Sequence, residues 1–304
     1  MYVHITRGVA CAGAIALLVS LSTNEGRGES DIEKAIRQFG ADRVGGYIQP
    51  MADLFGADVN GGFFRSAEIP VSGFHLTFEL IGMGSMVQDA QKVYTAAAPA
   101  GFSPQTFQTA TIFGGQGTTV QDAANPSLSF RGSDGALDAT LLPFVVPQLS
   151  IGSVGGTDLK LRAIPVPETG DLPRTLLFGV AVRHSINQYI PSLPFALAGA
   201  VTYTRFTVGD IIDFTGITVG AQVSRSFGVL TLYGGPAWEK STMELTYDST
   251  DPYSTQKAVD ITLDGASAFR FTAGMGLSIG FFKIFGDVHL GSIVGFSGGI
   301  GFGS

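Results

Sequence analysis

From Phe269 to Phe281 the apolar residues fall on every second position. Phe269, Phe271, Ala273, Met275, Leu277, Ile279 and Phe281 share one parity; Arg270, Thr272, Gly274, Gly276, Ser278 and Gly280 share the other. Successive side chains of a strand point to opposite faces, so this period of two predicts a strand with one apolar face and one small or polar face. After a turn near Phe282 the pattern resumes, with Ile284, Val288 and Leu290 set against Phe285, Asp287 and His289. It resumes again with Val294, Phe296, Ile300 and Phe302 against Ile293, Gly295, Ser297, Gly299 and Gly301. Each run is close to the roughly 9–11 residues that a tilted strand needs to cross a bilayer. A soluble sandwich would bury its apolar faces on a second sheet and carry more charge on the others. The expectation is an all-β, antiparallel transmembrane barrel, apolar toward lipid and small or polar toward the lumen.

Composition agrees. Only 14% of the 304 residues are charged, against about 25% in average soluble domains. The 42 glycines suit crowded inner faces and bends in strands. A net charge of -7 argues against nucleic acid as a partner. No internal repeat or Pro/Ser-rich linker divides the chain, so one barrel with inserts is expected.

Arg7 precedes a short apolar run that ends in Ser20-Leu21-Ser22, the pattern of a secretory signal peptide over residues 1–22. The run is shorter than the ~20 residues of a spanning helix. Cys11 is the single cysteine and lies within it, so no disulfide or thiolate site is expected in the mature chain. Residues 23–70 read as a helical segment. Ser30-Asp31-Ile32-Glu33 has capping-box spacing, and a second short helix runs from Asp42 toward Gln49, interrupted by Pro50. Gly56 to Gly62 reads as a turn-rich connector. The segment either plugs the lumen or rests on the periplasmic rim.

The barrel is expected over residues 71–304, with a long insert at 85–147. The first strand, Gly73 to Gly82, points Phe74, Leu76, Phe78 and Leu80 outward and His75, Thr77 and Glu79 inward. Gln148–Val154 and Asp158–Ile164 form a hairpin around Gly155-Gly156-Thr157. From Arg174 strands follow regularly, and a polar hairpin, Met243 to Leu263, protrudes. With both termini periplasmic the strand number is even: about ten, or twelve if the insert contributes. Tyr203, Tyr233, Trp238 and Tyr247 are placed in interfacial aromatic girdles.

Four segments resemble a family. Tyr47-Ile-Gln-Pro50, Gly56-Ala-Asp-Val-Asn-Gly-Gly-Phe-Phe64, Gly179-Val-Ala-Val-Arg-His-Ser-Ile-Asn-Gln-Tyr-Ile-Pro191 and Phe282-Lys-Ile-Phe-Gly-Asp-Val-His-Leu290 look like uncharacterised outer-membrane barrels of Bacteroidota. Those barrels are loosely similar to the fatty-acid and hydrocarbon channel superfamily. The N-terminal Asn-Pro-Ala signature of the fatty-acid channels is missing, and Asn125-Pro126 lies in the insert instead. The resemblance implies a multi-pass barrel in the bacterial outer membrane, with lipid around it and a small hydrophobic ligand as partner. A passive channel or uptake role is the favoured expectation. The alternative is a structural or partner-binding barrel with a closed lumen.

Alternation turns Glu79, Arg270, Asp287 and His289 inward, and closure of the first strand on the last gathers them into one polar cluster at the seam. Asp287 and His289 share a face, as a carboxylate orienting an imidazole would. No serine elbow or other catalytic spacing accompanies them, so no enzyme and no cofactor are expected. His75, Lys160, Arg162 and Arg183 are candidates to line a pore. The plainer reading pairs Lys160, Arg162, Arg183 and Arg270 with Glu79, Asp287 and Glu239 inside a closed core. Three mature histidines without paired spacing argue against a metal site.

Overall fold

The structure, a computed structural model, describes residues 41–169, 173–190, 192–248, 258–266 and 268–303. The signal segment, the helix expected from Ser30 and the tip of the Met243–Leu263 hairpin lie outside them. A helix, α1 (Ala41–Val59), precedes β1 (Ser72–Met86). The insert holds a 3-10 turn (Asp89–Gln91) and two hairpins, β2 (Val93–Ala97) with β3 (Thr106–Ala110) and β4 (Thr119–Gln121) with β5 (Ser129–Arg131). Then come β6 (Leu141–Val154), β7 (Thr157–Val166), β8 (Thr175–Ser185), β9 (Ala196–Val208), β10 (Ile212–Phe227) and β11 (Leu230–Asp248). The chain continues through β12 (Ala258–Asp264), β13 (Phe269–Ile279), β14 (Phe282–Gly291) and β15 (Gly295–Gly303).

Ten of these strands close into an antiparallel barrel in the order β1, β6 to β11, β13, β14 and β15, with β15 pairing back onto β1. The short β12 pairs with the far half of β11, beyond the stretch that β13 covers. The insert hairpins form their own two-stranded sheets, so they do not raise the count to twelve. Alternation sets the two faces: Phe78 and Phe271 are 53% and 51% exposed, while their neighbours Glu79 and Arg270 are buried.

Prolines account for two differences from the sequence reading. The insert is shorter than expected, residues 87–140, because β6 begins at Leu141 despite Pro143 and Pro147. That half of β6 pairs with β1 alone among the described strands, so the missing N–H groups can face an unpaired edge. In α1, Pro50 does not end the helix, which runs on through Gly56-Ala57-Asp58. A mid-helix proline costs about 3 kcal/mol. Burial of Met51, Leu54 and Phe55, all at most 2% exposed, offsets it.

One end of the barrel carries two-residue turns at Gly155-Gly156, Gly228-Val229 and Gly280-Phe281, beside the longer β8–β9 connection. The first has positive φ at both glycines (57° and 70°), the geometry a tight hairpin needs. The opposite, long-loop end carries the insert, which packs on α1: Tyr47 donates to the Asp134 carbonyl at 3.0 Å, and Gly46 lies against Tyr94.

The long-loop half of the lumen is filled. The Phe55 ring lies 5.6, 5.0 and 5.1 Å from the rings of Phe144, Phe206 and Phe214, on three separate wall strands. Past Val59 the chain continues without helix. Phe63 stacks under Arg162, Ser66 meets Ser224, and the Val71 carbonyl accepts from the Gly156 N–H at the short-turn end. Residues 41–71 therefore run the length of the barrel, from the long-loop end to the short-turn end. Of the two placements open from sequence, they occupy the lumen rather than the rim. Phe55→Ala should lower stability in detergent by about 3–5 kcal/mol. Denaturant unfolding followed by tryptophan fluorescence reads this, and an unchanged midpoint would show that the helix is not docked.

Candidate functional site

The inner wall beside the plug carries the residues that sequence singled out, now with partners. Each lies on a strand whose alternate residues are apolar and exposed on the outer face, so each is aimed inward by parity alone. Glu79, Arg270, Asp287 and His289 are all buried in the lumen. They form two linked groups and one separate pair, not a single cluster.

The first group centres on Glu79 of β1. Its carboxylate accepts from Gln148 Nε2 (2.5 Å) and Ser150 Oγ (2.9 Å), and it pairs with Lys160 (3.4 Å). The second centres on Asp287 of β14, which accepts from Ser297 Oγ (2.6 Å) and Tyr233 OH (2.8 Å) and lies 3.2 Å from His289 Nε2. Thr272 Oγ1 holds the other ring nitrogen of His289 at 3.2 Å. Arg65, from the plug, joins the two groups, 3.5 Å from Glu79 and 3.5 Å from Asp287, with its guanidinium 3.4 Å over the Phe285 ring.

Arg270 stands apart. It pairs with Glu239 of β11 at 2.8 Å and donates to the Ala57 carbonyl at 2.7 Å. Asp287 sits opposite Gly274 on β13, four positions along the strand from Arg270. At about 3.4 Å per residue that is roughly 14 Å, which explains the separation.

Of the residues expected to line a pore, Arg162 is fully buried. It donates to Gln148 Oε1 (2.8 Å) and to the Val59 carbonyl (3.3 Å) and lies 3.5 Å over the Phe63 ring. Arg162 and Arg270 thus bond two of the last carbonyls of α1, which an isolated helix leaves without partners. Two cations at a helix C-terminus also oppose its dipole favourably. Arg183 is engaged by Asp158 and donates to the Ser66 carbonyl at 2.9 Å. Lys160 and half-buried His75 line a cavity at the short-turn end.

Sequence reasoning missed Arg65, Asp158 and Gln148. The latter two had the inward parity of Lys160 and Arg162 and could have been found by it. Arg65 lies in an aperiodic segment with no such signal. Tyr233 is a correction: it is buried and faces inward, not in an interfacial girdle, because five residues separate it from outward-facing Trp238. Tyr203 and Trp238 are exposed on the outer face. The Tyr247 side chain is outside the described residues. His184 lies near the short-turn end, held by Thr157 Oγ1 at 2.8 Å and Tyr189 OH at 3.0 Å. Among the described residues no group of three or more His, Cys, Asp or Glu is placed to hold a metal.

Glycines on the inner wall leave room for the plug. A Cβ on Gly216 would overlap the Asn60 side chain, and one on Gly179 would come within 3.4 Å of Phe63 and of Arg162. The chain belongs to a family of unknown function, DUF6588, whose family model matches residues 9–304. No curated protein matches it.

The pairing pattern fixes how mutations combine. Arg270→Ala and Glu239→Ala should each cost about 3–5 kcal/mol, and the double variant much less than their sum. Arg270→Ala with Asp287→Ala should add to within about 0.5 kcal/mol. Strong coupling in the second pair, measured by unfolding in detergent, would contradict the separation.

Proposed function

We propose that this DUF6588 member is a bacterial outer-membrane barrel that its own N-terminal segment keeps closed, serving as a structural or partner-binding component and not as a standing pore. The occupation of the lumen by residues 41–71 carries this reading. A passive channel needs a continuous water path, and at the long-loop half the space is taken by Tyr47, Leu54, Phe55 and their aromatic neighbours, all essentially inaccessible.

The membrane assignment rests on the outer face. Phe78, Val201, Val219, Met275, Val288 and Phe296 are each more than 40% exposed on neighbouring or nearby strands. So extensive an apolar belt would promote association in water and suits lipid. In the usual arrangement of such barrels the two-residue turns face the periplasm and the long insert faces outward. The insert is folded, with Phe107 edge-on to Phe130 at 5.8 Å and Asp134 held by the Gly117 N–H (2.7 Å) and Arg131 (2.8 Å). Those contacts keep the Asp134 carboxyl below its ordinary pKa. An ordered insert over the mouth is the surface to which this reading assigns a partner.

A second reading, uptake of small hydrophobic molecules past a movable plug, is supported by the likeness to the fatty-acid and hydrocarbon channels and by the open cavity at the short-turn end. It requires the plug to shift. No catalytic role is assigned to the Asp287–His289 pair: the one hydroxyl on the imidazole, that of Thr272, is buried in the wall.

Cell fractionation and gel mobility test the membrane assignment: the protein should enter the outer-membrane fraction and migrate faster unheated than boiled. Recovery in the soluble periplasm without a heat-modifiable band would end it. Planar-bilayer recording tests closure, with silent wild-type protein expected. Steady conductance by the full chain would contradict the closed-barrel reading, and solute flux into liposomes without it would favour uptake.

A further inference from the structure

The direction in which the chain threads the barrel decides which side its upstream residues reach. Val59 leads through residues 60–71 to β1, which starts at the short-turn end. From Val59 backward, α1 therefore runs toward the long-loop end. Its C-terminal turn already lies near that rim. Ser85, next to last in β1, donates to Asp58 Oδ1 at 2.7 Å, and Arg270, second in β13, donates to the Ala57 carbonyl. The sixteen steps from Ala57 back to Ala41 add about 24 Å of helix at ~1.5 Å per residue. That length is flanked by the insert and by β12. The Ile112 N–H donates to the Tyr47 carbonyl at 3.0 Å, and Gln49 Nε2 donates to the Asp264 carbonyl at 2.7 Å.

No route leads back to the short-turn side. The long-loop half of the lumen is packed around Phe55, whose ring touches Phe144, Phe206 and Phe214. Lipid is closed to the upstream sequence as well. Seven of the eighteen residues 23–40 are Asp, Glu, Lys or Arg, against 14% of the whole chain. A charge facing lipid at the midplane costs about 2–4 kcal/mol, and backbone groups without partners there cost several more each.

We propose that the barrel carries the residues upstream of Ala41 to the cell exterior and presents the mature N-terminus there, beside the insert. The protein is then an export device for its own N-terminal segment, which becomes open to proteins outside the cell. This departs from the periplasmic N-terminus expected from sequence. The strand count stays even, because β1 still begins at the short-turn end. A filled lumen and a hydrogen-bonded wall admit no later passage, so the segment is in place before β15 closes on β1.

Which side is outside rests on the outer-membrane reading, and labelling of intact cells tests the two separately. Single cysteines are placed in the chain with Cys11→Ala, which leaves no other thiol. Asn24→Cys and Ser30→Cys report the upstream segment, Ser127→Cys the exposed insert, and Val229→Cys an exposed short turn. The unheated gel band checks the fold of each. A membrane-impermeant maleimide should label positions 24, 30 and 127 in intact cells, and position 229 only after permeabilisation. Labelling of both 24 and 30 only after permeabilisation, while 127 reacts in intact cells, overturns the N-terminal display and leaves the orientation standing. Absence of label at both 24 and 30 in either preparation overturns the display too. Failure of position 127 to react in intact cells overturns the outer-membrane orientation, and the display with it.

Discussion

The fold depends on how the wall holds the C-terminus of α1. A helix of 19 residues is marginal by itself in water and ends in carbonyls with no partner. Here Arg270 and Arg162, from strands on different sides of the lumen, donate to the carbonyls of Ala57 and Val59. Each arginine is itself held, the first by Glu239 and the second by Gln148 and Phe63. Inward arginines in a narrow barrel would carry a large desolvation cost without such partners. The plug therefore satisfies the wall as much as the wall satisfies the plug.

From that point the lumen divides by chemistry. Toward the long-loop end the contacts are aromatic and dry, with Phe55 among Phe144, Phe206 and Phe214. Toward the short-turn end they are ionic and less tightly packed, with Arg65 between Glu79 and Asp287 and a cavity beside it. Any opening has to begin where contacts are weaker. Ion pairs at 3.5 Å next to a water-accessible cavity are easier to exchange than tightly packed rings. Movement of residues 60–71 is thus less costly than withdrawal of α1, and the closed state is set chiefly by the helix.

Much of the barrel was legible because a period of two needs no tertiary information. The inward set of β13 and β14, from Arg270 to His289, follows from parity, and closure of β1 on β15 follows from reading the strands as one barrel. What parity does not give is axial register. Asp287 and Arg270 lie on adjacent strands and face the same lumen, yet stand four residues apart along it. Pairing inside the lumen also depends on the plug, whose partners are distant in sequence; Arg65 and Asp287 are 222 positions apart. Proline misled at both Pro50 and Pro143, where tertiary context overrides a local preference: packing on all sides in one, an unpaired strand edge in the other.

Disulfide trapping tests most directly that residues 41–71 thread the barrel from the long-loop end to the short-turn end. Ser66 and Ser224 have hydroxyl oxygens 3.3 Å apart, and a Cβ on Gly56 would lie 2.5 Å from Ser241 Oγ. Expressed without residues 1–22, the chain has no other cysteine. Ser66→Cys with Ser224→Cys, and separately Gly56→Cys with Ser241→Cys, should cross-link on mild oxidation of the folded protein and shift its mobility on a non-reducing gel. The mismatched pair Gly56→Cys with Ser224→Cys should stay reduced. Cross-linking of the mismatched pair, or failure of both matched pairs in folded protein, would contradict the threaded lumen.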